Sequence, residues 1–511
     1  MTTQNEVFEF LMRLPSDNPE QPEVVRIDTG ANVIFLCGSK AFKVKRAVKY
    51  PFLDYSTLAL RKEACHREFR LNTPNAPQLY LGARPVTRSP DGQLALDGQG
   101  PVVEWVVEMN RFDSNKELEI LAEHESLSPE LADDLAVMMA NAHDRAPPMD
   151  AGRFVDELRK YLSQNDDAFA DAGDIFPVDQ AKALSERASA VLAEIEPIIL
   201  RRGKAGLVRL CHGDAHTRNI VLLDGKPVLF DAVEFSDDIA TCDLLYDLAY
   251  LLMDLWALGQ KAAANRVFNR YLDRTARPED LEGLATLPFY LMMRAALRAK
   301  ISAANSSFQA KDADRDRLVR DAKSYFQLAQ DFLSETRPMF VAIGGFSGTG
   351  KTTTAYGLAP ELGPAPGARV LRTDVERKVS LGLAETDPAP PEAYTRERSD
   401  AVYVALEKKA RAVLAAGQSV IFDGVLGAPA ERDRLEQIAT HADVPFAGIW
   451  LEVPIEIAKE RVSKRENDAS DATPEVIDFQ ATFDIEPLHW PRVSAGETPQ
   501  ATLAEVRKHT A

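Results

Sequence analysis

GFSGTGKT, running from Gly345 to Thr352, completes a G-x-x-x-x-G-K-[ST] string directly after the apolar run Met339-Phe340-Val341-Ala342-Ile343. A buried strand that ends in such a loop can turn the backbone N–H groups from Gly345 through Ser347, Gly348, Thr349 and Gly350 toward phosphate oxygens. Lys351 adds a point charge for the β- and γ-phosphates, and Thr352 offers a hydroxyl to Mg²⁺. The stretch Thr352 to Leu358 is helix-compatible, so the N–H of Thr353 and its neighbours belongs to a helix N-terminus aimed at the same anion. Strand, loop and helix together predict a triphosphate cradle.

Outward from this loop, the downstream sequence alternates strands and helices. Arg369-Val370-Leu371, Ser419 to Phe422 and Ala447 to Leu451 read as strands, and Glu392 to Ala416 as a helix. That order predicts a parallel, doubly wound α/β sheet with its ligand at the strand C-termini. The second strand runs into Arg372-Thr373-Asp374 with Arg377-Lys378 beyond it, a place for a base and substrate-gripping cations; Asp374 is the candidate base, with a helix cap as the alternative. Asp423, at the end of Val420-Ile421-Phe422, can serve a metal through water or simply form the Asp423-Gly424 turn. Arg461 and Arg465 fall four residues apart on an expected charged helix with Lys459 and Lys464, either as a solvated face or as cations closing over a triphosphate.

Upstream lies a second, unrelated signature, His212-Gly213-Asp214-Ala215-His216-Thr217-Arg218-Asn219, followed by a strand, a turn at Asp224-Gly225, another strand and Asp231. Phosphoryl transfer of the protein-kinase type needs an aspartate to orient the attacking hydroxyl, an asparagine five residues on for Mg²⁺, and a further metal-binding aspartate after a hairpin. Asp214, Asn219 and Asp231 fill those positions in order. The segment before them has a hairpin over Val33 to Lys45, a helix over Ser56 to Leu71, a strand pair around Ser89 to Gly92 and a strand over Val102 to Met109. From about Leu118 to Arg337 the pattern turns mainly helical. Asp243 and Asp247 lie on one of those helices, where Asp247 either is solvated or braces the catalytic loop.

Through H-G-D-x-H-x-x-N and the later aspartate, residues 25–330 resemble aminoglycoside-phosphotransferase-like small-molecule kinases, a resemblance that implies an α+β, protein-kinase-like bilobal fold. It also implies a strand lysine paired with a helix glutamate. Lys43 and Glu68 match best, with Lys45 and Glu63 as rivals. No G-x-G-x-x-G loop precedes the lysine strand, and Asp231-Ala232-Val233 lacks the glycine of D-F-G. Residues 338–500 resemble AAA-like P-loop kinases related to zeta toxins, gluconate kinases and the kinase domain of polynucleotide kinases. The whole order resembles bacterial bifunctional aminoglycoside phosphotransferase/ATP-binding proteins, which implies ATP and Mg²⁺ as cofactors and a small-molecule hydroxyl as acceptor.

Bulk properties bound these readings. At 511 residues the chain exceeds one ordinary core, and Ser334 to Pro338 marks the boundary between expected domains 1–336 and 337–511. A formal charge of -18 opposes a broad nucleic-acid or anionic-membrane surface. Nothing approaches about 18 uninterrupted apolar residues, and the first residues lack a basic-then-apolar leader, so a cytoplasmic location is expected. Cys37, Cys65, Cys211 and Cys242 show no C-x-x-C spacing and read as reduced, buried thiols. The expectation is an ATP-dependent phosphotransferase with two nucleotide sites. The P-loop half could instead be a nucleotide-controlled switch or a kinase of 5′-hydroxyl nucleic-acid ends.

Overall fold

The computed structural model describes residues 4–50, 53–307, 311–465 and 469–510. Packing divides the chain into two compact units, Met1–Leu158 with Gly206–Asp254, and Arg159–Ala205 with Leu255–Ala511.

The first unit is organised by an antiparallel six-stranded sheet. Its strands are β1 (Val25–Asp28), β2 (Asn32–Cys37), β3 (Lys40–Lys45), β6 (Tyr80–Arg88), β7 (Leu94–Leu96) and β8 (Val102–Asn110), in the order β1-β2-β3-β8-β6-β7. Between β3 and β6 come the short pair β4 (Lys49–Tyr50) and β5 (Leu53–Asp54). The two-residue period of a strand sorts the side chains. Val33, Phe35, Phe42 and Val44 enter one core with Val7, Phe8 and Leu11 of the helix Gln4–Met12. Ala41, Lys43 and Lys45 therefore share the opposite face of β3.

Against the sheet lies the helix Leu58–Asn72, started by the Thr57 side chain accepting from the Leu60 N–H. Its buried stripe is Arg61, Ala64, Cys65, Glu68 and Asn72, mostly polar, so this helix docks through ion pairs as much as through apolar burial. Arg61 Nε, for example, lies 2.9 Å from Glu104 Oε1. Beyond the sheet, β9 (Val208–Leu210) pairs with β12 (Thr241–Asp243), and β10 (Ile220–Leu223) with β11 (Lys226–Leu229). Val221 and Val228 of that hairpin share a core with Ala41, Cys65 and Val107. All four cysteines are buried thiols outside any disulfide.

The second unit contains the long helices Val178–Lys204, Lys261–Thr275, Leu287–Ser306 and Asp312–Phe332. It also holds a sheet of five parallel strands: β13 (Phe340–Gly344), β14 (Arg369–Arg372), β15 (Val420–Asp423), β16 (Phe446–Glu452) and β17 (Arg492–Ser494), ordered β14-β15-β13-β16-β17. The parallel sheet expected from the strand–helix alternation is present, with β13 central and Phe340 registered against both Val420 and Phe446. Val341, Ile343, Ile421, Ile449 and Leu451 fill its core with Ala355 and Leu358 of the helix Lys351–Leu358. Near-continuous apolar runs are what a sheet covered on both faces requires.

Three local readings are corrected. The helix expected from Glu392 begins at Arg396, because Thr395 caps it and Pro391–Tyr394 form a separate 3₁₀ turn. The charged helix ends at Ser463, so Arg465 lies beyond its C-terminus and does not share a helical face with Arg461. Asp374 does not cap its helix: Thr373–Ser380 is capped at Arg372, and Asp374 sits in the first turn. Among the described residues no helix is long and apolar enough to cross a membrane.

Candidate functional sites

The first site lies under the sheet of the first unit. A cleft of about 590 Å³ is lined by Ile34, Leu36 and Ala41 on one side and by Phe230 and Asp231 on the other, with Met109 near the end of β8 and Phe112 just beyond it also lining it. At its inner end Lys43 Nζ donates to Glu68 Oε1 at 3.0 Å and to Asp231 Oδ1 at 2.6 Å. Lys45, on the same strand face, reaches Glu68 Oε2 at 2.5 Å and pairs with Glu234, which also accepts from the Tyr55 hydroxyl at 2.7 Å. Lys43 and Lys45 thus share Glu68, which is wholly buried. Glu63 is not the partner, being exposed and bonded to Arg70. Burial alone would lower the Lys43 pKa, but Asp231, Glu68 and Glu234 outweigh it and hold the ammonium charge well above its ordinary range.

The loop between β9 and β10 carries Asp214 and Asn219. Asn219 Nδ2 donates to the Asp214 carbonyl at 2.9 Å and to Asp214 Oδ2 at 3.0 Å, which fixes the carboxylate. The Phe230 N–H donates to the Asn219 carbonyl at 2.9 Å, so the hairpin returns Asp231 beside the loop. Asn72, at the end of the Glu68 helix, accepts from the Ala232 N–H at 2.8 Å. The loop is braced from below: the Gly213 N–H donates to Asp247 Oδ1 at 2.9 Å, and His143 contacts the other oxygen of that carboxylate at 3.2 Å. Thr217 is held through both its N–H and its hydroxyl by the buried Asp254. His212 Nδ1 accepts from the Asp214 N–H, leaving Nε2–H for the Phe230 carbonyl, and burial keeps the ring neutral by lowering its pKa.

The second site surrounds the loop after β13. Gly350, with φ +89°, turns the chain into the helix Lys351–Leu358. Among the described residues no acceptor takes the N–H groups of Gly350, Lys351, Thr352 and Thr353, which leaves four donors clustered at one helix start. Such a cluster fits a phosphate group. Lys351 Nζ donates to the Phe346 carbonyl at 3.0 Å, and burial lowers its pKa despite Asp423 and Asp374 nearby. Thr352 Oγ1 donates to Asp423 Oδ2 at 2.6 Å, a hydroxyl–carboxylate pair suited to a hydrated divalent cation. Burial raises the pKa of Asp374, with Arg372 opposing and Asp423 adding to the rise.

The remaining candidate residues are engaged by contacts within the chain. Arg461 donates to the Ala495 carbonyl at 2.8 Å and lies 3.4 Å from the Gly348 carbonyl, bracing the loop. Arg377 is buried, donating to the Ala393 carbonyl at 2.6 Å and lying over the Tyr394 ring; Lys378 pairs with Asp471 at 3.1 Å. Ser347 donates its N–H to Gln480 Oε1 at 2.8 Å. Glu234, Asp254, Asn72 and Gln480 belong to no local motif, and sequence reading did not select them. Asp247 stood open between solvation and bracing, and it braces.

Residues 61–285 match the phosphotransferase enzyme family, and residues 340–484 match an AAA domain. An uncharacterized protein of Mycobacterium tuberculosis (strain H37Rv) and one of Mycobacterium bovis are each 28% identical over 468 residues, covering 89% of this chain and 89% of theirs. A cytidylate kinase of Methanobrevibacter smithii is 26% identical over 141 residues, covering 27% of this chain and 71% of that protein. Among solved structures, a choline/ethanolamine kinase family protein of Mesorhizobium loti overlaps 65% of this chain and 98% of its own, at 15% identity and TM-score 0.35. A sugar kinase of Janibacter sp. HTCC2649 overlaps 34% of this chain and 94% of its own, at 24% identity and TM-score 0.27.

Proposed function

We propose, for a chain that joins a phosphotransferase-family kinase domain to a P-loop kinase domain, that both halves bind ATP with Mg²⁺ and transfer its γ-phosphate. The functional domains are taken as 1–336 and 337–511, acting in the cytoplasm. The acceptor of the first is a hydroxyl of a small molecule, sugar- or aminoglycoside-like.

One observation carries the first half of this reading: Lys43 bonded to Asp231, and Asp231 returned beside an Asn219–Asp214 pair by the β10–β11 hairpin. Lys43, steadied by Glu68, would meet the α- and β-phosphates, and Asn219 with Asp231 would hold Mg²⁺, which when bound offsets phosphate charge. Asp214, half-exposed and oriented by Asn219, would accept the hydrogen bond of the attacking hydroxyl and align it in line with the γ-phosphorus. In the second half the backbone of Ser347 to Thr353, chiefly the N–H groups of Gly350 to Thr353, and Lys351 would cradle the phosphates. Thr352 and Asp423 would serve the metal, and Asp374 would take the acceptor proton. Arg461 and Arg465 would face the triphosphate.

A carboxylate, Asp374, standing with Arg372, Lys351 and Asp423 favours a kinase over a pure nucleotide switch. The acidic balance and the burial of Arg377 in contacts with its own chain both speak against a 5′-hydroxyl nucleic-acid acceptor.

Calorimetry with Mg–ATP tests the reading: two equivalents per chain are expected, falling to one in Lys351→Ala and to one in Asp231→Ala. Incubation with ATP and a metabolite extract, read by mass spectrometry, should give one phosphorylated product lost in Asp214→Asn and another lost in Asp374→Asn. A single equivalent indifferent to Lys351→Ala would sink the two-site reading.

A further inference from the structure

Strand β14 is an edge of the parallel sheet, and its outer side would leave backbone groups unpaired. Side chains of the helix Lys261–Thr275 supply the missing partners. Asn269 Oδ1 accepts from the Val370 N–H at 2.8 Å, and Asn269 Nδ2 donates to the Ala368 carbonyl at 3.1 Å. Asn265 Nδ2 donates to the carbonyls of Ala368 and Pro366, both at 3.0 Å. Arg369, the first residue of the strand, reaches back to Asn269 Oδ1 at 3.0 Å and pairs with Asp273. Asn265, Asn269 and Asp273 recur every four residues, one helical stripe laid along the strand. Yet this helix falls inside residues 61–285, the phosphotransferase-family match.

The same helix sends a charge toward the P-loop. Arg270 pairs with one oxygen of Glu385, and Arg372 Nη1 holds the other at 3.0 Å. Arg372 Nε stands 3.8 Å from Asp423 Oδ2, the oxygen that accepts from Thr352 Oγ1 at 2.6 Å. Arg372, which also favours the charge of Asp374, thus faces both Glu385 and Asp423, and of these two Glu385 has the nearer claim. Arg270 also lies 4.0 Å from Asp273, so it is anchored in the stripe that caps the sheet.

We propose that Arg270 and Glu385 are positioning residues of the P-loop site: Arg270 fixes Glu385, Glu385 draws Arg372 off Asp423, and Asp423 keeps its charge for a divalent cation beside Thr352. The grip of the P-loop on a Mg²⁺–nucleotide is then set by a helix of the phosphotransferase domain. This rests on the reading of that loop as a nucleotide site.

The test is calorimetric titration of the full chain with ATP, in Mg²⁺ and in EDTA, the Lys351→Ala chain defining the share of binding that belongs to the P-loop. Arg270→Ala and Glu385→Ala should each weaken Lys351-dependent binding in Mg²⁺ by about tenfold, the size of an ordinary coupling between sites. Binding in EDTA and the melting temperature should stay as in the unaltered chain. The double variant should lose no more than either single one, since both act through one link. Arg270→Lys, which keeps a cation near Glu385, should recover most of the loss. Equal weakening with and without Mg²⁺, together with a lower melting temperature, would reduce the pair to structural glue and overturn the proposal, as would unchanged or tighter Mg²⁺-dependent binding. No Lys351-dependent binding in the unaltered chain would overturn the nucleotide-site reading itself.

Discussion

Lys43 and Lys351, the two lysines proposed to meet phosphate, sit in opposite electrostatic surroundings. Lys43 is nearly sealed from solvent and already answered by Glu68 and Asp231, so its charge is secured before any ligand arrives. Lys351 rests on a backbone carbonyl beside four N–H groups that have no acceptor among the described residues, and burial disfavours its charge. The first site is a balanced ionic network that orients. The second is an excess of donors that attracts. Stability should therefore be vested in the charges of the first site, and anion affinity in the backbone of the second.

Glu68→Gln breaks this contrast most severely if it is wrong. The substitution keeps the shape but leaves Lys43 and Lys45 sharing one carboxylate fewer in a buried setting, and a loss of about 3–5 kcal/mol is expected. Urea unfolding monitored on the first unit measures it. Lys351→Met removes no carboxylate contact and should leave unfolding nearly unchanged while abolishing P-loop nucleotide binding. A Glu68→Gln chain as stable as its parent would show that the network is not what holds the lobe.

Two glycines sharpen the same contrast at smaller scale. Gly213 has φ +80°, and a Cβ there would sit 3.2 Å from both Ala240 Cα and Val233 Cγ2. Gly350 has φ +89°, with nothing nearer than Arg461 Nη1 at 3.9 Å. Gly213→Ala should cost about 2–4 kcal/mol, strain plus overpacking, whereas Gly350→Ala should cost about 1–2 kcal/mol from strain alone. Comparable losses in paired denaturant titrations would mean that the loop holding Asp214 is no more tightly braced than the P-loop.

The same difference explains what could be read from the chain before its structure. A P-loop is a contiguous device, made of one strand end, one loop and one helix start, so GFSGTGKT carried both its fold and its chemistry. The first site is assembled from β3, the Glu68 helix, two loops and the helix bearing Asp247 and Asp254. Its one contiguous piece, His212 to Asn219, is the plain signal; Asp231 follows from the hairpin after it, and Lys43 and Glu68 only from the resemblance. Lys45 rivals Lys43 in the sequence because residues two apart on a strand face the same way, and the structure uses both on one glutamate. Glu234 lies three residues past Asp231 with no pattern around it. Arg465 was drawn onto a helix by its spacing from Arg461, although that helix ends first. Asn265 and Asn269 left a faint trace: two amides four apart on the buried side of a helix ask for a polar partner, but which strand they serve depends on the tertiary fold.

The finest test concerns acidity, where the second site offers a carboxylate shifted upward. Burial pushes Asp374 above the usual aspartate range, Asp423 adds to the rise, and Arg372 and Lys351 pull it back. A base must be ionised, so Lys351-dependent phosphoryl transfer should fall by about tenfold per pH unit below a limb lying above the ordinary aspartate value. Stability runs the other way. Because the folded chain holds this proton more tightly than the unfolded one, protonation relieves the fold, and the second unit should gain stability as pH falls through the raised value toward the unfolded one. Arg372→Gln removes the larger downward influence and should move both the kinetic limb and the stability gain to higher pH together. A limb that stays put in Arg372→Gln, or that survives in Asp374→Asn, would assign the titration to another group and leave the P-loop site without its proposed base.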